Sequence, residues 1–349
     1  MQLMSFASDY EEGAHPAILE RLNQTNLLKT PGYGTDEFCA AARKKIRDAC
    51  SCPEAAVYFL MGGTQTNATV IGALLRPYQG VVAAETGHIC LHEGGAIEHG
   101  GHKVLPLPQK EGKLSAAEVD RFCAAWKKDE NRDHMVAPGM VYLSQPTEYG
   151  TLYSLEELID LRAVCDRYAL PLYVDGARLA YALACKSNDV TLQDLARLCD
   201  VFYIGGTKCG ALFGEALVVP NPQLLPGFFT VCKQNGAVLA KGRLLGLQFD
   251  TLFTNNLYRS IGGAGIRAAE RMRSAFLRAG YRLALESPTN QIFVLLENNE
   301  MERLAELVGF SYWESADPNH TVVRFASSWA TTRDQTDRLE QLLLPWGLP

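Results

Sequence analysis

Val57-Tyr58-Phe59-Leu60-Met61-Gly62-Gly63-Thr64-Gln65-Thr66-Asn67 is an apolar run that breaks at two glycines and resumes as a helix-like stretch towards Leu75. Consecutive apolar residues without polar alternation suit a strand buried on both faces, the usual state of strands in parallel sheets. The same texture recurs at Val81–Ala84, Met140–Leu143, Leu172–Val174, Val201–Ile204 and Ala216–Val219, with helix-like segments between several of the runs. Two of these segments open with a hydroxyl and a carboxylate three residues apart, Ser115 with Glu118 and Ser154 with Glu157, the spacing of a capping box. The second buries Leu158, Leu161 and Cys165 on one face and is expected to end near Leu170, before Pro171. Such alternation predicts an α/β fold whose large, mostly parallel sheet is covered on both sides.

Beyond residue 250 the pattern changes. A helix is expected over Gly265–Ala279, a strand over Gln291–Leu296, a helix over Met301–Val308, a strand over Thr321–Phe325 and a last helix over Arg333–Leu343. The expected division is a large domain over residues 1–250 and a smaller C-terminal α+β domain over residues 251–349. The first residues of the chain, about 25 of them, are expected to pack with the smaller domain.

The 349 residues are 47% hydrophobic and 21% charged, which excludes a disordered chain, a collagen-like repeat and a small disulfide scaffold. A formal net charge of -6 offers no broad attraction to nucleic acid or to an anionic membrane, so neither is an expected partner. Ten cysteines run from Cys39 to Cys232, many of them in apolar or helical stretches. The closest pair, Cys50 and Cys52, fits neither a redox nor a zinc spacing, so reduced thiols are expected. Asp9, Glu11 and Glu12 stand where a signal peptide needs a basic start and an apolar run. No apolar segment nears the roughly 18 residues of a membrane span, and a cytoplasmic enzyme acting on a small molecule is the expectation.

Three short motifs carry the chemistry. Gly62-Gly63-Thr64-Gln65-Thr66-Asn67 lets the backbone turn sharply and leaves free amides at a helix start, which suits a phosphate. It is neither a P-loop nor a dinucleotide fingerprint. Asp175, in Val174-Asp175-Gly176-Ala177-Arg178, ends a buried strand, where open α/β sheets place ligand groups. Its plainer reading is a helix cap or a partner for Arg178. Lys208, in Gly205-Gly206-Thr207-Lys208-Cys209-Gly210, follows another strand, and desolvation among small residues lowers an amine's pKa towards nucleophilic use. Alone, it reads as a surface lysine. Together, a phosphate cradle, an acid and a lysine in that chain order are what pyridoxal 5'-phosphate requires.

His88 follows the strand Val81–Ala84 and suits stacking on a cofactor ring. A metal cluster of His88, His92, His99 and His102 is not expected, because His92-Glu93-Gly94-Gly95-Ala96 fails the H-E-x-x-H pattern. His92, His99 and His102 are read as structural or solvated, and no metal is expected.

The chain resembles the low-specificity L-threonine aldolase family, within the β-eliminating lyases and the aspartate-aminotransferase-like (fold type I) group. The resemblance rests on Ser8-Asp9, Tyr33-Gly34-Thr35-Asp36, Gly63-Thr64-Gln65-Thr66-Asn67, His88, Glu93-Gly94-Gly95, Val174-Asp175-Gly176-Ala177-Arg178 and Lys208. It implies that Lys208 holds the cofactor, Asp175 pairs with the pyridine nitrogen, Arg178 approaches the phenolic oxygen and His88 stacks on the ring. Gly63 and Thr64 would bind the phosphate. Ser8 and Arg324 would hold the substrate carboxylate, with Tyr33 also at the substrate. Many relatives carry a second histidine where Pro146-Thr147-Glu148-Tyr149-Gly150 has Glu148. The family also brings basic residues to the phosphate from a neighbouring subunit, and Lys233 and Lys241 are the nearest matches here. The implied activity is cleavage of L-threonine, L-allo-threonine or a related β-hydroxy-α-amino acid to glycine and an aldehyde, with His88 or Glu148 as base, in a symmetric dimer or tetramer. The alternatives are β-elimination, racemisation and a non-catalytic homologue that binds the cofactor.

Overall fold

The computed structural model describes residues 3–344. Seven strands form the larger sheet: β1 (Ala56–Leu60), β2 (Gln79–Ala84), β3 (Lys103–Leu107), β4 (Ala137–Ser144), β5 (Leu172–Asp175), β6 (Val201–Gly205) and β7 (Glu215–Val219). Their order is β1-β7-β6-β5-β4-β2-β3. β7 runs antiparallel to both of its neighbours, and the pairs from β6 to β3 are parallel. Every residue of β5, β6 and β7 is buried. Alternate residues of one strand enter opposite cores: Leu172 and Val174 pack on one side of the sheet and Tyr173 on the other. That two-sided burial is why these strands read as unbroken apolar runs.

β3 escapes the sequence reading because it is an edge strand, half exposed and carrying Pro106. The two expected helix starts differ. Ser154 and Glu157 cap each other reciprocally ahead of the helix Leu155–Tyr168, through bonds of 3.2 and 2.8 Å. Ser115 accepts from the Glu118 amide, but the Glu118 carboxylate turns to Arg121 instead of closing the box.

The second sheet is antiparallel, with strands β8 (Arg282–Leu285), β9 (Gln291–Glu297), β10 (Ser311–Asp317) and β11 (His320–Ala326) in the order β10-β11-β9-β8. β8 and β10 are its outer strands and bury none of their residues fully, so neither shows an apolar run. Phe276, Ile292, Val294, Val323, Phe325 and Leu339 form its core together with Phe6. Phe6 enters by backbone bonds of 2.8 Å to Gly309 and Ala326, so residues 5–7 lie against this sheet. The helix expected from Gly265 begins at Leu257 and runs to Arg278. Its first half crosses the helix Leu179–Ala184, and a side chain at Gly262 would collide with the Ala180 carbonyl. Among the described residues no helix is long and apolar enough to cross a membrane.

Candidate active site

The loops leaving the C-terminal ends of β1, β2, β4, β5 and β6 converge on a cavity of about 370 Å³. Its walls include Gly62, Gly63, Thr64, His88, Glu148, Asp175, Arg178 and Lys208. A second cavity of about 470 Å³ shares Tyr10, His88, His92, Glu148, Arg178 and Lys208 with it and adds Trp313 and Arg324. Ligand groups at strand C-termini are the rule for open parallel sheets.

Asp175 is the last residue of β5 and is buried. One carboxylate oxygen accepts from Tyr142 Oη (2.6 Å) and Asn67 Nδ2 (3.1 Å), and the other from Tyr203 Oη and the Ala177 amide (2.9 Å). Burial alone would raise its pKa, but the nearby His88 and the hydroxyl donors hold it below the ordinary aspartate value. Asp175 therefore carries its charge into the cavity, and it caps the turn at Ala177 without pairing with Arg178. Arg178 instead binds Asp9 through Nε (2.6 Å) and Nη2 (3.0 Å), and Asn290 Nδ2 adds a bond of 2.9 Å to the same carboxylate.

Asn67 extends the network. Its Nδ2 also donates to Glu93 Oε1 (2.7 Å), and its Oδ1 accepts from Tyr173 Oη (2.7 Å). Glu93 Oε1 in turn meets His88 Nδ1 at 2.8 Å. That contact assigns the proton to Nδ1 and leaves Nε2 as an acceptor. Glu148 Oε1 accepts from the His88 amide (2.9 Å) and from Ser144 Oγ (2.6 Å). Burial, in part opposed by these bonds, pushes the Glu148 pKa up.

Lys208 is half-buried and lines both cavities. Among the described residues its ammonium makes neither a hydrogen bond nor an ion pair; the Tyr10 ring lies 5.8 Å away. Desolvation, and then Arg178, lower its pKa. The helix Gly63–Leu74 aims its N-terminus at the same cavity. Its first backbone bond runs from Thr66 to Gly62 (2.9 Å), so the amides of Gly63, Thr64 and Gln65 precede the helical ladder.

Arg324, on β11, is a guanidinium with no carboxylate partner among the described residues. Three of its five N–H groups donate, to Gln291 Oε1 (3.1 Å), the Ala7 carbonyl (3.1 Å) and Ser311 Oγ (3.4 Å). Trp313 lies 5.3 Å from it. Burial and Arg178 lower its pKa. Ser8, next in chain to Ala7, has a buried hydroxyl without a hydrogen bond.

Lys233, Lys241 and Tyr33 stand apart from this group. Lys233 is exposed with its ammonium 4.1 Å from the Tyr33 ring, Tyr33 lines a separate small pocket, and Lys241 is exposed. Within one chain, none of the three lines the cavity of Lys208. His92 is exposed, within the structural-or-solvated reading, and it also lines both cavities, 5.6 Å from His88 and 5.9 Å from Trp313. Its place four residues after His88 was the available signal. Tyr142 and Tyr203 sit inside apolar strands, where sequence reads a tyrosine as core. Among the described residues no cluster of His, Cys, Asp or Glu could hold a metal, and all ten cysteines are free thiols.

Residues 5–294 match the family model described as "Beta-eliminating lyase". A low specificity L-threonine aldolase of Pseudomonas sp. (strain NCIMB 10558) is 29% identical over 336 residues, covering 95% of this chain and 94% of its own. The solved structure of Leishmania major threonine aldolase is 40% identical, with a TM-score of 0.95 over 99% of this chain and 100% of that one. A Thermus thermophilus aspartate aminotransferase variant superposes with a TM-score of 0.73 at 15% identity over 98% of this chain and 91% of its own, a likeness of fold alone.

Proposed function

The chain belongs to the beta-eliminating lyase family and, within it, to the threonine aldolases; from that premise we propose that it is a pyridoxal-phosphate-dependent aldolase that cleaves L-threonine, L-allo-threonine or a related β-hydroxy-α-amino acid to glycine and an aldehyde. The observation that carries the reading is that Lys208, unpaired and half-buried, shares one cavity with the buried, ionised Asp175 and with the free amides at Gly63 and Thr64. These groups fit the cofactor: an amine for its aldehyde, an acid for its ring nitrogen and a helix start for its phosphate. Pyridoxal phosphate, when bound, supplies an electron sink for the Cα–Cβ bond.

The remaining work falls to the chain's own groups. Arg324 and Ser8 offer the substrate carboxylate a cation and a hydroxyl that lack other anionic partners. Fixing that carboxylate would set which bond at Cα is presented to the cofactor. His88 Nε2, freed as acceptor by the Glu93 contact at Nδ1, takes the β-hydroxyl proton directly or through a water. Glu148, with its raised pKa, stands 2.9 Å from the His88 amide as the second base. The shared sites expected of the family support a symmetric oligomer, in which the exposed Lys233, Lys241 and Tyr33 serve a neighbouring copy.

Incubation of the purified protein with L-threonine, L-allo-threonine, L-serine and both alanine enantiomers tests the reading. Glycine and acetaldehyde from the threonine isomers alone is the expected result. Pyruvate with ammonia, or interconverted alanine, would assign the site to elimination or racemisation.

A further inference from the structure

Glu215 is a buried carboxylate that the reaction above leaves without a task. It is the first residue of β7, and strand register sets it opposite Leu60 on β1 and Gly205 on β6. From those two neighbours depart the turn Gly62–Thr64, with its free amides, and the turn that carries Lys208. The carboxyl therefore sits between the anion cradle and the amine, and it lines the same cavity. It is 3% exposed. Oε2 accepts from the Gly206 amide (3.0 Å) and Oε1 from Thr207 Oγ (2.8 Å), so each oxygen keeps a free lone pair. No cation among the described residues pairs with it.

An ionised carboxylate at that place would confront any phosphate bound by the cradle across a low-dielectric gap, at a cost that a single proton removes. Resting on the cofactor reading above, we propose that Glu215 meets the phosphate as the neutral carboxylic acid and lends its proton to the phosphate as a hydrogen bond, so that phosphate capture is coupled to proton retention. Burial already holds the carboxyl at about 8 before any second anion arrives. The facing titratable groups are Asp175 and Tyr173 from β5, Tyr203 from β6, Lys208 and Cys209 from the following turn, and Tyr258 from the helix Leu257–Arg278. Of these Asp175 reinforces the effect of burial and Lys208 opposes it.

Because the proposed form binds with its proton on, the part of the affinity owed to Glu215 is flat below about pH 8 and falls about tenfold per pH unit above it. The test uses the full chain freed of cofactor, titrated calorimetrically with pyridoxine 5'-phosphate, which has no aldehyde and forms no bond to Lys208. Titration between about pH 7 and about pH 9.5, in buffers of differing ionisation heat, reads affinity and proton uptake together. At the alkaline end the wild type is expected to take up close to one proton per ligand more than Glu215→Gln, any proton gained by the ligand's ring nitrogen beside Asp175 being common to both, and the variant's affinity to decline less steeply by about tenfold per pH unit. Infrared spectra of the wild-type holoenzyme are expected to contain a protonated-carboxyl band that is absent from Glu215→Gln. Should the variant fold poorly, inorganic phosphate, which has no ring nitrogen, replaces the ligand for the wild type: uptake of close to one proton above about pH 8 supports the proposal and none overturns it. Parallel pH profiles in the two proteins, or a wild type that binds without proton uptake, overturn the proposal while cofactor binding and glycine production stand. Absence of binding at every pH, with no glycine from threonine, overturns the cofactor reading as well.

Discussion

Replacing Arg324 by methionine removes a half-buried cation whose hydrogen-bond partners among the described residues are neutral: Gln291, Ser311 and the Ala7 carbonyl. Two of its N–H groups stay unpaired, and a substrate carboxylate is the anion that fits them. A hydrogen bond to a charged group contributes about 1.5–3 kcal/mol, so losing the pair removes about 3 kcal/mol at the lower end. That corresponds to roughly a hundredfold in kcat/KM. The carboxylate is held in ground and transition states alike, so most of the loss should appear in KM, with kcat falling less. Arg324→Lys keeps the charge but not the planar fork and should recover only part of the loss. Steady-state glycine production over a range of L-threonine concentrations measures the split. Binding of ethanolamine, an amine without a carboxylate, serves as the control and should be indifferent to the substitution. An Arg324→Met enzyme with unaltered KM, or one that loses ethanolamine and glycine equally, would refute the assignment.

Asp175→Asn keeps an acceptor for Tyr142 or Tyr203 but discards the charge. Turnover should fall about 10- to 100-fold and cofactor affinity should weaken, while KM changes little; steady-state rates and cofactor titration measure both. Because burial raises the Glu148 pKa, a reaction that needs its carboxylate weakens as pH falls through that raised value. Glu148→Gln should therefore lose an acid limb of the kcat/KM profile, and an unchanged limb would clear Glu148 of the role. Asp9, held at about 2 against an ordinary 3.8 by Arg178 and Lys208 despite its burial, should contribute about 2 kcal/mol of stability. Its folded pKa is the lower one, so that contribution is present above pH 3.8 and is lost as pH falls towards 2. Urea unfolding at several pH values should show this decline in the wild type and its absence in Asp9→Asn.

The sheet was legible where its strands are buried on both faces, because continuous apolar runs such as Val201–Ile204 have few other uses. β3, β8 and β10 were illegible for the converse reason: as edge strands they bury too little to leave a pattern. Asp175 stood out because a charge closing an apolar strand is costly without a task, whereas Lys208 gained meaning only in combination with it and the glycine turn. What holds Asp175 was hidden, since Tyr142 and Tyr203 reach it from neighbouring strands that no local spacing connects. Arg178 was misleading for a related reason: three residues from Asp175 in sequence, it turns to Asp9 at the other end of the chain. Arg324 carried no local signal and entered through family resemblance alone. Glu215, just outside the apolar run Ala216–Val219, carried no local signal; register places it between Leu60 and Gly205.

Lys208 is the proposed anchor of the cofactor. Borohydride reduction of the purified protein, followed by peptide mass mapping, fixes any pyridoxal phosphate to the amine that held it. One phosphopyridoxyl group per chain is expected, on the peptide containing Lys208. A modified lysine elsewhere, or a native protein that takes up pyridoxal phosphate without any reducible bond, would contradict it.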